Sequence, residues 1–288
     1  MPGNATRRLV APPDRFARLA LQAARQAGRL SQRAGGAPVS AQQVGAIFPA
    51  LPPGARAAVA REIEANRWSS ALVRRMVDRL GGDWLIRATR VSGEEPLVAL
   101  HKDGRPRLVV SWHAGVGAGL PAGLARLGQT GLLLREDGRP ERFGLSHVRI
   151  GGGLANRAAA FQRAVRHLRG GGLVALYLDV DPWAPGAEPP HAFLGRQVAL
   201  PPGPAAMARL SGAAIIPVTP RWDAGRVSFA CHPPLAGAAG AAGDDRSVTA
   251  ALAAWWERWL RRHPGDLWPT SVRRLLAAPT VDVTARRR

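Results

Sequence analysis

The residues best suited to chemistry lie in one short stretch, Arg107-Leu-Val-Val-Ser-Trp-His113-Ala-Gly-Val-Gly-Ala118-Gly. It reads as a buried strand ending in a histidine, then glycines and a helix. In open α/β sheets ligands bind at the carboxyl ends of the strands. An imidazole there titrates near neutral pH and can act as a general base. A histidine that merely caps the strand end fits the same pattern, and the segment alone leaves both roles open. The glycines exclude two other readings. After Gly115 and Gly117 the sixth position of a dinucleotide fingerprint is Leu120, and a P-loop needs a Gly-Lys pair that is absent. No Gly-x-Ser-x-Gly elbow supports a serine hydrolase. His101, His147, His167, His191, His232 and His263 lack metal-ligand spacing, and the one cysteine, Cys231, excludes a disulfide framework or a cysteine zinc site. No metal is expected.

Gly115 and three further residues suit a binding role beside His113. Asp179 closes the apolar run Gly170–Asp179, where a turn-forming aspartate is the plainer alternative. Arg196 follows a glycine in a turn, where a guanidinium can hold a phosphate through two hydrogen bonds. Arg157 opens a helix after Gly151-Gly-Gly, and helix N-termini favour anions. Either arginine serves equally well as ordinary surface, since all but one of the 40 Lys and Arg residues are arginine.

The elements that must hold these residues follow from periodicity. Residues 12–34 read as a basic amphipathic helix with Phe16, Leu19, Ala20, Ala23, Ala27 and Leu30 on one face, packed on the domain or lying on a membrane surface. Helices at 40–48 and 54–80 complete a helical section over residues 1–80. Beyond Gly81-Gly82 the pattern alternates. Strands are expected at 84–87, 97–100, 107–112, 131–134, 173–178, 214–218 and 227–230, and helices at 117–128, 155–169, 203–211 and 247–262. Such alternation over residues 81–276 predicts an α/β fold, a mainly parallel mixed sheet flanked by helices. Residues 277–288 end in three arginines and read as a tail. Leu252, Trp255, Trp256, Trp259 and Leu260 form a stripe on the last helix, read as core packing ahead of interfacial insertion.

With 46% hydrophobic residues the chain is not disordered, and no run reaches the ~20 apolar residues that span a bilayer. Arginines through the first apolar stretch exclude a signal peptide. A net charge of +20 suits an anionic membrane surface or an acidic carrier protein as well as nucleic acid. Nucleic acid ranks last, because no helix-turn-helix or RNA-binding motif is present.

Strand, histidine, glycine and helix in that order resemble the lipid A biosynthesis acyltransferases, relatives of the glycerolipid acyltransferases. Further segments follow in the family's order: Gly170–Asp179, the turn His191-Ala-Phe-Leu-Gly-Arg196, the helix and strand from Pro202 to Pro217-Val, and Trp255–Trp268 with its Pro264-x-x-x-Trp268. The resemblance spans about residues 40 to 270. It implies transfer of an acyl chain from acyl carrier protein or acyl-coenzyme A, without a cofactor, to a hydroxyl of a lipid or glycolipid. His113 would be the base, with a cleft formed by the loops after residues 112, 178 and 193. It also implies a peripheral position on the cytoplasmic face of the inner membrane, since the family's usual membrane-anchoring helix is not recognisable here. In the family an acid stands five residues after the histidine and holds its tautomer; here that position is Ala118. Loss of such a partner typically costs about 10²–10⁴ in rate. Three outcomes follow from the resemblance: a substitute carboxylate (Glu136, Asp137, Asp179 or Asp181), a histidine held by other means, or a non-catalytic protein that binds lipid or acyl carrier protein.

Overall fold

The computed structural model describes residues 15–31, 39–113, 115–136, 143–178, 190–223, 226–235 and 244–280. Helices α1 (Arg15–Ser31), α2 (Ala41–Ile47), α3 (Pro53–Leu80) and α4 (Asp83–Ala88) come first, then β1 (Arg90–Ser92) and α5 (Glu95–Lys102). There follow β2 (Arg107–Ser111), α6 (Gly119–Arg126), β3 (Gly131–Arg135), β4 (Leu145–Arg149), α7 (Leu154–Arg169) and β5 (Leu173–Tyr177). A hairpin of β6 (His191–Phe193) and β7 (Arg196–Val198) precedes α8 (Gly203–Ser211), β8 (Ala214–Asp223), β9 (Arg226–Cys231) and α9 (Asp245–Arg262). A 3₁₀ turn (Pro264–Asp266) and α10 (Pro269–Ala277) close the described chain.

Seven strands form one sheet in the order β1-β9-β8-β2-β5-β3-β4. Only β8 and β9 pair antiparallel. The expected mainly parallel mixed sheet flanked by helices, with a helical N-terminal part, is therefore the fold. Strand β2 lies between β8 and β5 and is buried at all five positions, as a central parallel strand must be. Side chains alternate across it. Leu108, Val110 and Trp112 face a core shared with α2, α3, α7, α8, α9 and α10. Val109 faces the opposite core, closed by α5 and α6. A fully buried Leu, Ile or Phe contributes about 1.5–3 kcal/mol, so the two layers fix β2, and with it the position of His113.

Several expected elements differ. Residues 84–87 and 97–100 form helices α4 and α5, not strands. In α4 the buried residues are Trp84, Leu85 and Ala88, and in α5 Leu97 and Leu100, the spacing of a helix with one buried face. Strands β1, β4, β6 and β7 and helix α10 were not expected. In α1 the buried stripe is Ala17, Ala20, Leu21 and Ala24, while Leu19 is 64% exposed and Leu30 59%. Arg25 turns inward to pair with Glu62 and Asn66 on α3, and this rotates the helix from its expected face. On α9, Leu252, Trp256 and Leu260 are buried as expected, while Trp255 and Trp259 pack half-buried beside them. Among the described residues no helix is long and apolar enough to cross a membrane.

Candidate active site

Two neighbouring strands bring together the site's central pair. Parallel pairing sets Ser111 of β2 opposite Tyr177 of β5, and the two chain ends stay joined beyond it, with the Leu178 N–H donating to the Ser111 carbonyl at 2.8 Å. His113 follows two residues later, half-buried. Its ring stacks on that of Tyr177, with centroids 4.0 Å apart and planes 15° from parallel. The Tyr177 hydroxyl donates to the Gly117 carbonyl at 3.0 Å. The one tyrosine of the chain thus contacts both the histidine and the loop that follows it. Periodicity could not reveal this contact, because it depends on the register between two strands far apart in sequence.

Gly115 makes the turn beyond His113. Its φ is +53°, and a Cβ there would lie 2.8 Å from both the Arg221 Cα and the Pro220 carbonyl oxygen. Only glycine supplies that backbone conformation without strain and lets β8 approach so closely. The Ser70 hydroxyl of α3 donates to the Gly115 carbonyl at 2.8 Å, and the Gly115 N–H donates to the Asp266 carbonyl at 3.4 Å. Ala118 stands at the N-cap of α6, where its methyl group makes no capping bond. The partial positive end of that helix faces the loop carrying His113.

On the other side of β2, Trp112 is buried and stacks on Phe193 at 5.1 Å, with Trp256 tilted against it at 6.0 Å. The β6–β7 turn delivers Phe193. Its two residues, Leu194 and Gly195, both have positive φ (48° and 74°), the two-residue hairpin geometry whose twist matches its strands. An aromatic wall therefore backs the strand end that carries the histidine. Next to it, His232 packs edge-on against Trp255 (4.7 Å) and Trp259 (5.4 Å), and its Nε2 pairs with the Thr219 hydroxyl at 3.0 Å. Burial pulls the His232 imidazole below its ordinary pKa. Burial of Cys231 pushes its thiol up to about 12, which removes it as a nucleophile at neutral pH.

The other expected site residues are spread more widely. Arg157 is half-buried in the first turn of α7, the helix that follows β4, which lies three strands from β2 in the sheet. The Arg196 guanidinium donates to the Ala46 and Ala278 carbonyls at 3.3 and 3.4 Å, tying the hairpin to α2 and the end of α10. Glu136 is exposed at the end of β3. Asp137, Asp179 and Asp181 lie outside the described residues. No group of three or more His, Cys, Asp or Glu among the described residues is arranged to hold a metal ion.

Residues 142–268 match the family model described as bacterial lipid A biosynthesis acyltransferase. The matched segment is similar to the lipid A biosynthesis acyltransferases. It runs from before β4 through α9 to Trp268, and so contains Tyr177, the hairpin, Arg221 and the tryptophan helix. The match supports an acyltransferase of the lipid A type. The match begins after His113. His113 lies outside the match and is linked to it by its ring stacking on Tyr177, inside the matched segment. Among solved structures, the chain is similar to the 1-acyl-sn-glycerophosphate (LPA) acyltransferase PlsC from Thermotoga maritima, at 14% identity and a TM-score of 0.37, covering 85% of this chain and 97% of that one. No curated protein matches.

Proposed function

We propose that the protein moves a fatty acyl chain from an acyl carrier protein or acyl-coenzyme A thioester to a hydroxyl of a lipid or glycolipid, with His113 as the base. The observation that carries this reading is the half-buried histidine at the end of the central strand, stacked on a tyrosine within a lipid A acyltransferase segment. One ring nitrogen of His113 takes the proton of the acceptor hydroxyl as its oxygen attacks the thioester carbonyl. The tetrahedral adduct collapses, the new ester forms, and the departing thiolate takes the proton back from the imidazolium. The N-terminal end of α6 favours the negative charge on the carbonyl oxygen. A wet, mobile imidazole would do this poorly. Tyr177 stacks on the ring and holds the loop through its hydroxyl, giving part of the restraint that an acid at position 118 gives in the family.

Arg157 and Arg196 are proposed to meet anionic parts of the acceptor or carrier, Gly115 to shape the acceptor's approach, and Asp179 to line the cleft. The net charge of +20 supports an acidic carrier protein or an anionic membrane surface as partner, with the protein held peripherally at the cytoplasmic face of the inner membrane. Ala118 favours a second reading, an acyltransferase-like protein that binds lipid or carrier without turnover. The deciding experiment offers labelled acyl carrier protein and labelled acyl-coenzyme A to purified protein with a membrane lipid extract. A labelled lipid ester supports the enzyme and identifies donor and acceptor. Retained binding of carrier or lipid without product supports the second reading.

A further inference from the structure

Behind the Gly115 turn lies a buried polar cluster that the proposed reaction does not use. Its centre is Asp266, 6% exposed, in the 3₁₀ turn after α9. The Asp266 Oδ2 accepts from the Trp259 indole N–H at 3.2 Å and lies 3.7 Å from the Arg221 Nε. Arg221 also donates through Nη1 to the His263 Nδ1 at 3.2 Å. From the helical side, the Asn66 amide donates to the Gly265 carbonyl at 2.7 Å, and Arg25 donates to the Asn66 Oδ1 and pairs with Glu62. Two members of the cluster touch the turn after His113 directly. The Arg221 backbone is one of the atoms against which Gly115 packs, and the Asp266 carbonyl accepts the Gly115 N–H.

The cluster is costly. Burial, the largest effect, raises the Asp266 carboxyl to about 6; Arg221, the Trp259 N–H and Arg25 pull it down, and Glu62 pushes it up. His263, facing Arg221, is held below its ordinary value by burial, then by Arg221 and Arg262. An apolar or amide side chain would serve stability better than a carboxylate that burial penalises. Buried, perturbed titratable groups of this kind cluster at functional sites.

We propose that Asp266, through Arg221, is a positioning residue for His113: the pair braces β8 and the 3₁₀ turn against Gly115 and so fixes where the imidazole points. This rests on the reading of His113 as the base. The carboxylate acts from behind the loop, not on the ring.

The test is Asp266→Asn, which keeps the size and the acceptor for Trp259 and removes the charge. A carboxyl raised to about 6 contributes stability that is fully present below pH ~4 and is lost as pH rises through about 6. The variant therefore should melt at least about 2–4 °C higher than wild type at pH 8. It should also lack the decline in melting temperature between pH 4 and 6. Its kcat should fall about tenfold or more, since small displacements of a reacting group are expensive, with little change in KM. Arg221→Met in the Asp266→Asn background should add little, because the two act as one unit. The His113 ring proton resonances, read without substrate, should move in Asp266→Asn while those of exposed His101 stay. Stability and activity falling together would reduce Asp266 to a structural residue and overturn the proposal, as would unmoved His113 resonances or an unchanged kcat. A wild-type protein that transfers nothing, with His113 resonances displaced in the variant, would instead refute acyl transfer and leave the bracing intact.

Discussion

Replacing Gly115 by alanine tests whether the turn after His113 is as tightly defined as its geometry implies. Two costs add there. The left-handed backbone at φ +53° penalises a Cβ by about 1–2 kcal/mol. The Cβ would also sit 2.8 Å from two backbone atoms of β8, the Arg221 Cα and the Pro220 oxygen, which cannot rotate away. Overpacking of this kind costs about 1–3 kcal/mol, so Gly115→Ala should lose about 2–5 kcal/mol in all. Two controls separate the causes. Gly104 has φ +65° with nothing within 4 Å of a Cβ, so Gly104→Ala should show only the first cost. Gly117 lies outside the left-handed region with equally open surroundings, so Gly117→Ala should be neutral or slightly stabilising. Urea unfolding of the three variants measures the differences directly. In the folded fraction of Gly115→Ala, a shift of about 1 Å in His113 should lower transfer roughly 10²-fold. A Gly115→Ala protein no less stable than Gly104→Ala would refute the close approach of β8 and, with it, the bracing of His113.

Tyr177 and Ala118 yield further expectations. Tyr177→Phe keeps the ring stacked on His113 and removes the bond to the Gly117 carbonyl, so it should lose about 0.5–1.5 kcal/mol of stability and retain most activity. Tyr177→Leu removes the stack and should lose kcat well beyond the Phe variant; equal kcat for the two would show that stacking does not orient the base. Ala118→Asp places an acid five residues after His113 and should raise kcat. An unchanged rate would mean that the present arrangement already holds the imidazole.

The legible part of the molecule was its buried centre. Strands β2, β5 and β8 announce themselves as apolar runs between turn residues, and α3, α7, α8 and α9 by helical spacing. The segments Trp84–Arg87 and Leu97–Leu100 misled because a short apolar run fits a buried strand and a helix that touches a sheet equally well. Strand β4, Leu145–Arg149, escaped because an edge strand needs few buried residues; it buries only Leu145 and Val148. The face of α1 was misjudged because periodicity puts arginine outside, whereas Arg25 finds Glu62 and Asn66 inside. His113 stood out as a histidine at a strand end. Its neighbours did not: Tyr177 depends on register, and Asp266 on the return of the chain after α9. Both are tertiary facts with no local pattern.

The most direct test of the central claim is single-turnover transfer by wild type and His113→Ala, with a labelled acyl thioester and the acceptor found in the lipid extract. If His113 is the base, the wild type forms the ester and releases thiol in equal amount. The variant, still folded and still binding the thioester, should be slower by about 10²–10⁴. Equal rates in the two proteins would contradict the account and move the chemistry away from the end of β2.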